Sequence, residues 1–92
     1  MKSIIQQSNG CYFCGSTGLL EEHHIFFGNP GRRISEKNGF KVRLCPECHR
    51  TGKKSPHQDR DTDLMLKRIC QRAFEVTHSR EEFIKLIGRN YL

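Results

Sequence analysis

Four cysteines in two C-x2-C pairs, Cys11/Cys14 and Cys45/Cys48, are the residues of this chain best suited to binding chemistry. A tight turn brings both sulfurs of such a pair to one point. Two pairs therefore complete a tetrahedral set of thiolates, the donor set that suits zinc. Thirty residues separate Cys14 from Cys45, more than in common zinc fingers, so a shared ion closes a loop. That loop holds His23-His24, and His49 directly follows the last cysteine of the set. Imidazole titrates near neutral pH and serves as base or as metal ligand. A knot that gathers His23, His24 and His49 thus reads as the scaffold of an active site.

Such a knot also answers a problem of size. The 92 residues allow one domain, 35% of them are apolar, there is no Trp, and mean hydropathy is -0.69. A core this thin generally needs a staple. Zinc can provide it, because its binding free energy, roughly 10–16 kcal/mol for structural sites, is also folding free energy. Disulfides are the alternative, but five cysteines arranged as two pairs and a lone Cys70 fit zinc in a reducing compartment better. No apolar run is long enough for a signal peptide or a membrane span. The expected location is the cytoplasm, with no membrane partner.

Between Arg32 and Lys54 lie eight basic residues against Glu36 and Glu47, which accounts for the whole net charge of +6. Basic charge crowded beside a metal site suits a polyanion, and DNA is the expected partner. Arg32, Arg33, Lys41, Arg43, Arg50, Lys53 and Lys54 are the candidate contacts. The plainer reading is a solvated basic face that keeps the chain soluble.

The elements that must position these groups follow from periodicity. Residues 1–10 read as a flexible tail, and 11–92 as one domain: zinc knuckles and core over 11–58, a helical part over 59–92. Leu19 to Phe27 reads as a strand with Leu19, Ile25 and Phe27 on one side. Gly28-Asn29-Pro30-Gly31 breaks it, Arg32 to Lys37 reads as a basic loop, and Asn38-Gly39 as a turn. Phe40 to Leu44 alternates apolar and basic residues, the pattern of a half-buried strand with Lys41 and Arg43 outward. Pro46 suits the first turn of a short helix carrying Cys48, His49 and Arg50. Leu66, Ile69, Cys70, Ala73 and Phe74 mark one face of a longer helix, so Cys70 reads as core packing. Ser79-Arg80-Glu81-Glu82 is a capping box for a last helix that stops near Gly88, and His78 before it reads as surface. The fold class is α+β.

Taken in order, C-x2-C, His-His-Ile, C-P-x-C-H and a later His resemble the HNH, or ββα-metal, endonucleases with zinc-knuckle frames. The resemblance spans residues 11 to 57. It implies a small zinc-stapled ββα core followed by two C-terminal helices. It also implies Cys11, Cys14, Cys45 and Cys48 as structural zinc ligands and His24 as general base. His23, His49 and His57 would hold a catalytic Mg2+, Mn2+ or another divalent ion. The family's middle Asn falls near Phe40, and Asn38 is the nearest Asn. A narrower similarity, running to the closing Gly88-Arg89-Asn90-Tyr91-Leu92, is to small phage-encoded members, the recombination-enhancement nucleases. That similarity implies a bacterial host cell and a recombinase–DNA filament as partner.

Hydrolysis of a phosphodiester needs the same parts on chemical grounds: a base for water and a cation for the charge that builds on the phosphate. The expected function is therefore a metal-dependent DNA endonuclease. A non-catalytic zinc-knuckle DNA-binding protein would account for the cysteines and the charge. A protein-interaction module built on the C-terminal helices is the third reading.

Overall fold

The computed structural model describes all 92 residues. In chain order the elements are β1 (Glu21–His24), α1 (Gly31–Asn38), β2 (Lys41–Leu44), a single π-turn (Glu47–Thr51), α2 (Arg60–Phe74) and α3 (Arg80–Ile87). The strands pair antiparallel in a two-stranded sheet, with Glu21 opposite Leu44, His23 opposite Val42 and His24 opposite Lys41. No helix is long and apolar enough to cross a membrane.

β2 follows its alternation: Val42 and Leu44 are buried and Arg43 is exposed. Lys41 is the exception to the expected outward pair, being drawn into an ion-pair group on Glu36 and Glu22. β1 is shorter than the nine residues of its apolar-rich stretch. Leu19 is 75% exposed, and the chain leaves the sheet after His24 so that Ile25 and Phe26 enter the core while Phe27 stays half exposed. Consecutive residues can both be buried only because the strand pleat ends there.

The expected basic loop over Arg32–Lys37 is instead α1. Pro30 stands just before its first turn and Gly39 just past its last, the usual asymmetry of helix ends. Gly39 takes a left-handed conformation (φ 74°) and its N–H donates to Ser35 O, so Asn38-Gly39 is a helix stop rather than a hairpin turn. The buried Ser35 hydroxyl donates to Phe26 O (2.7 Å) and accepts from Phe26 N–H (3.0 Å), fastening α1 to the chain beyond β1.

The first ten residues, read as a flexible tail, have no helix or strand but are laid against the domain. Ile4 N–H donates to Gly39 O (3.0 Å), Gln6 Oε1 accepts from Arg43 N–H (2.6 Å), and Ile4 and Ile5 pack on the core. A Cβ on Gly39 would lie 2.2 Å from Lys2 O, so that position needs glycine for space as well as for φ.

α2 begins at Asp59, whose carboxylate accepts from Thr62 N–H, and buries Leu66, Cys70 and Phe74. α3 carries the full capping box of Ser79 and Glu82 and buries Phe83. The rings of Phe26, Phe40, Phe74 and Phe83 meet edge to face or tilted, 5.7–6.3 Å apart. This aromatic cluster packs Phe74 and Phe83 of the C-terminal helices against Phe26 and Phe40, which flank the two strands.

Candidate metal centres

The four cysteines converge. Gly15 N–H closes the first knuckle on Cys11 O (2.9 Å), and Tyr12 N–H donates to Arg43 O (2.8 Å), tying that knuckle to the end of β2. Cys45 is the next residue after β2, and Cys48 rides on the π-turn closed by Gly52 N–H to Glu47 O. The four Sγ atoms lie within 4.8 Å of one another, and Cys14 Sγ is 3.7 Å from Cys45 Sγ. Two sulfurs on a tetrahedron of 2.3 Å zinc bonds are about 3.8 Å apart, so the spacing fits a shared ion. No pair forms a disulfide. Cys70 stands apart, fully buried, with burial pushing its thiol well up in pKa.

A second group forms from His23 on β1, His49 on the π-turn and His57 in the loop before α2, with ring nitrogens within 4.8 Å of one another. His57 Nε2 is 3.2 Å from His49 Nε2, and the His23 ring lies 5.2 Å and 5.0 Å from those of His49 and His57. His23 is 1% exposed and its Nε2 has no hydrogen-bond partner. A buried imidazole nitrogen without a partner is costly, and a cation among the three rings would satisfy it. Burial, then the charges of His49 and His57, hold the His23 pKa down to about 3, so its ring is neutral near pH 7. Burial also lowers the pKa of His57, followed by the charge of His49.

Glu21 completes this group. Its Oε1 lies 2.8 Å from His49 Nδ1 and its Oε2 2.5 Å from Arg50 Nη2. The hydrogen bond from His49, then Arg50, holds the Glu21 carboxyl below its usual range. With Nδ1 donating to the carboxylate, His49 Nε2 keeps a lone pair facing the other two rings, the arrangement that orients metal-binding histidines. Sequence reasoning passed over Glu21, although its position two residues before His23 already places both on one face of a strand.

His24 is not brought into this group. It points to the opposite face of β1, where its Nε2 lies 3.0 Å from Glu36 Oε1. Lys41 Nζ bridges Glu36 Oε2 (2.7 Å) and Glu22 Oε2 (3.2 Å) in the same place. The Lys41 hydrogen bond, then that of His24, brings the Glu36 carboxyl down to about 2. Glu22, His24 and Glu36 approach as closely as a ligand set would, but the Lys41 ammonium and the Met1 amino group, 3.7 Å from Glu36 Oε2, already offset the carboxylates. The pleat, which turns adjacent residues to opposite faces, separates the two histidines.

The expected DNA contacts are spread over several surfaces. Arg32 and Arg33 lie exposed on α1, with Lys37 beside them along a shallow groove that starts at Gly28. Lys53 and Lys54 rim another groove next to Cys14 and Cys48. Arg43 is exposed on β2. Lys41 and Arg50 are engaged with carboxylates, so they are not free cations. Asn38 Nδ2 donates to Ile34 O within α1, which leaves its amide nitrogen occupied away from the histidines.

Two further residues crowd the histidine group. Phe27 lies 5.1 Å, ring to ring, from His57, and Lys67 Nζ lies 4.8 Å from the Phe27 centroid. Periodicity places Phe27 only on the apolar side of a strand and does not mark Lys67, because their approach to the histidines depends on the fold.

Comparisons with known protein families, with curated proteins and with solved structures each return no match to this chain. The fold and the thiols define a small α+β protein with a two-stranded sheet, built around a cysteine cluster that can hold a zinc ion.

Proposed function

We propose that this chain is a metal-dependent DNA endonuclease of the HNH type, with zinc on the four cysteines and a second divalent cation on His23, His49 and His57. The observation that carries the reading is the convergence of ring nitrogens from His23, His49 and His57 within 4.8 Å of one another, with His23 buried and its Nε2 unpartnered. A structural core has no use for three imidazoles turned toward one point with one nitrogen unsatisfied. Three protein ligands leave coordination positions open, as catalytic sites require. A cation there supplies positive charge to a phosphate and acidifies water. The all-imidazole set favours a transition ion such as zinc, nickel or iron, with manganese a weaker occupant, over magnesium, which prefers oxygen donors.

In this proposal Glu21 orients His49, and the exposed basic residues of α1, β2 and the 53–54 loop attract the DNA backbone. His24 is the proposed base. If its Nε2–H donates to Glu36, its Nδ1 is the basic nitrogen, and a carboxylate behind an imidazole is how bases are oriented. His24 is paired with Lys41 and held on the face of β1 opposite the other three histidines, so its part in the chemistry is decided by whether nicking survives in His24→Ala. Action in recombination on a recombinase-coated filament, in a phage or prophage setting, extends the proposal by resemblance alone.

The test is nicking of supercoiled plasmid by zinc-loaded protein, with and without added manganese or magnesium. Wild type should nick in manganese, and His49→Ala should not. A folded protein that binds DNA but leaves it intact in every divalent metal would replace this reading by a non-catalytic zinc DNA-binding protein.

A further inference from the structure

The four clustered cysteines differ in how far solvent reaches them. Cys14 is exposed, Cys45 and Cys48 are half-buried, and Cys11 is 3% exposed within the apolar core. Cys14 also lines an open groove together with Cys48, Lys53 and Lys54, and both lysines are exposed. A metal-bound cysteine is a thiolate, the form that oxidants attack. An exposed thiolate among cations is where such attack becomes selective. The nearest recorded sulfur is on the other knuckle: Cys14 Sγ lies 3.7 Å from Cys45 Sγ. A disulfide spans about 2.05 Å, so roughly 1.7 Å of approach, shared by two side chains, would close it. Cys11 is the rival partner within the first knuckle, but it is packed into the apolar core and gives up contacts there if it turns away.

We propose that Cys14 is a modification site for hydroperoxides, and that its oxidation ends in a reversible Cys14–Cys45 disulfide that dismantles the zinc site. The Cys14 thiolate attacks one peroxide oxygen, the O–O bond breaks, and hydroxide leaves, giving a sulfenic acid. The Cys45 thiolate then attacks that sulfur, the S–O bond breaks, and a second hydroxide leaves as the disulfide forms. Each sulfur has lost one electron and the peroxide has gained two. Two of the four donors are then spent, and the tetrahedral set no longer exists. The bridge joins residues 31 apart, so the oxidised chain keeps a closure between the knuckles while the ion is free. Transient disulfides of this kind are the ones a reducing compartment permits. The proposal goes beyond the nuclease reading and rests on the thiol site alone.

The experiment uses the full-length zinc-loaded protein, its histidines cleared by a mild chelator, with hydrogen peroxide added stepwise in the presence of a zinc-binding dye. The dye should report a loss of zinc that rises to about one per chain, in step with formation of the bridge. Free thiols are alkylated and the chain is cut with trypsin. Cleavage after Lys2, Arg32, Arg43 and Arg50 leaves Cys11 and Cys14 in one peptide and Cys45 and Cys48 in another. The first bridge should join these two peptides, with fragment ions placing it on Cys14 and Cys45 and the alkyl groups on Cys11 and Cys48. Cys70→Ser should behave as wild type, and dithiothreitol with added zinc should return one zinc per chain. A first bridge inside one knuckle or to Cys70, zinc retained in excess peroxide, or a loss that reduction does not reverse would each overturn the inference while leaving the thiol site standing. Folded protein that carries no zinc before peroxide is added would overturn the thiol site and the inference together.

Discussion

Removing the metal from the four cysteines should unfold the domain, and the expected size of the effect follows from the geometry. An ion shared by Cys11 and Cys45 closes a loop over the first knuckle, β1, α1 and β2. Treated as a cross-link, a loop of that length removes roughly 4 kcal/mol of unfolded-chain entropy. Marginal stability of about 0.05–0.15 kcal/mol per residue gives a chain of this size roughly 5–14 kcal/mol in all, and structural zinc contributes apparent binding energies of roughly 10–16 kcal/mol. The loss is therefore of the same size as the whole reserve. Cys11 is also 3% exposed within the apolar core, so its thiolate cannot be resolvated without opening that core. The assay has two parts. Zinc released by a mercurial, after a mild chelator has stripped any ion on the histidines, should come to about one per chain, because four thiolates complete one site. Circular dichroism should then show no cooperative melt in the stripped protein or in Cys45→Ser. Cys70→Ser, which changes a buried thiol outside the cluster, should retain zinc and lose only roughly 1–3 kcal/mol. Zinc-free protein that melts cooperatively at the same temperature would refute the argument.

Three other outcomes follow from particular contacts. Glu21→Gln should weaken manganese binding at the histidine group about 10- to 100-fold, the usual effect of losing a carboxylate behind a metal-bound imidazole; isothermal titration checks it, and unchanged affinity would detach Glu21 from that site. Lys53→Ala with Lys54→Ala should lower DNA affinity and flatten the slope of log affinity against log salt, as fewer counterions are released; an unchanged slope would put these lysines in solvent. His24→Ala should reduce plasmid nicking by roughly 10²–10⁴ while manganese affinity is kept, since His24 lies apart from the three rings. Full nicking activity in that variant would remove His24 from the proposed chemistry.

What could be read from the sequence was what is local. The C-x2-C knuckles, the alternation of β2, the apolar face of α2 and the capping box of α3 each depend on neighbours a few residues away, and each is present. α1 escaped because it is eight residues long, with Ile34 its sole apolar residue, so it offers no amphipathic stripe. Its buried contact is made by a hydroxyl, Ser35, which composition scores as polar. The docking of residues 1–10 depends on Gln6 meeting Arg43, a pairing that no periodicity announces. His57 reaches His49 across Gly52 and Pro56, and only the folded loop shows that they meet.

The adjacent histidines show how a pattern can hold the right parts without saying which is which. His-His is unchanged by exchange, so nothing in the doublet itself decides which ring is buried. The decision comes from β2. Val42 and Leu44 must face the core, so the residues opposite them, His23 and Glu21, face it too. A one-residue slip of β1 against β2 would set Glu22 and His24 opposite Leu44 and Val42 instead, so the register between the strands makes the choice. The same register sends His24 to the side where Lys41 and Glu36 wait. Each histidine of the doublet thus reaches its partners through the apolar alternation of a neighbouring strand, twenty residues further along the chain. The buried apolar face of β2 selects His23, rather than His24, to join His49 and His57.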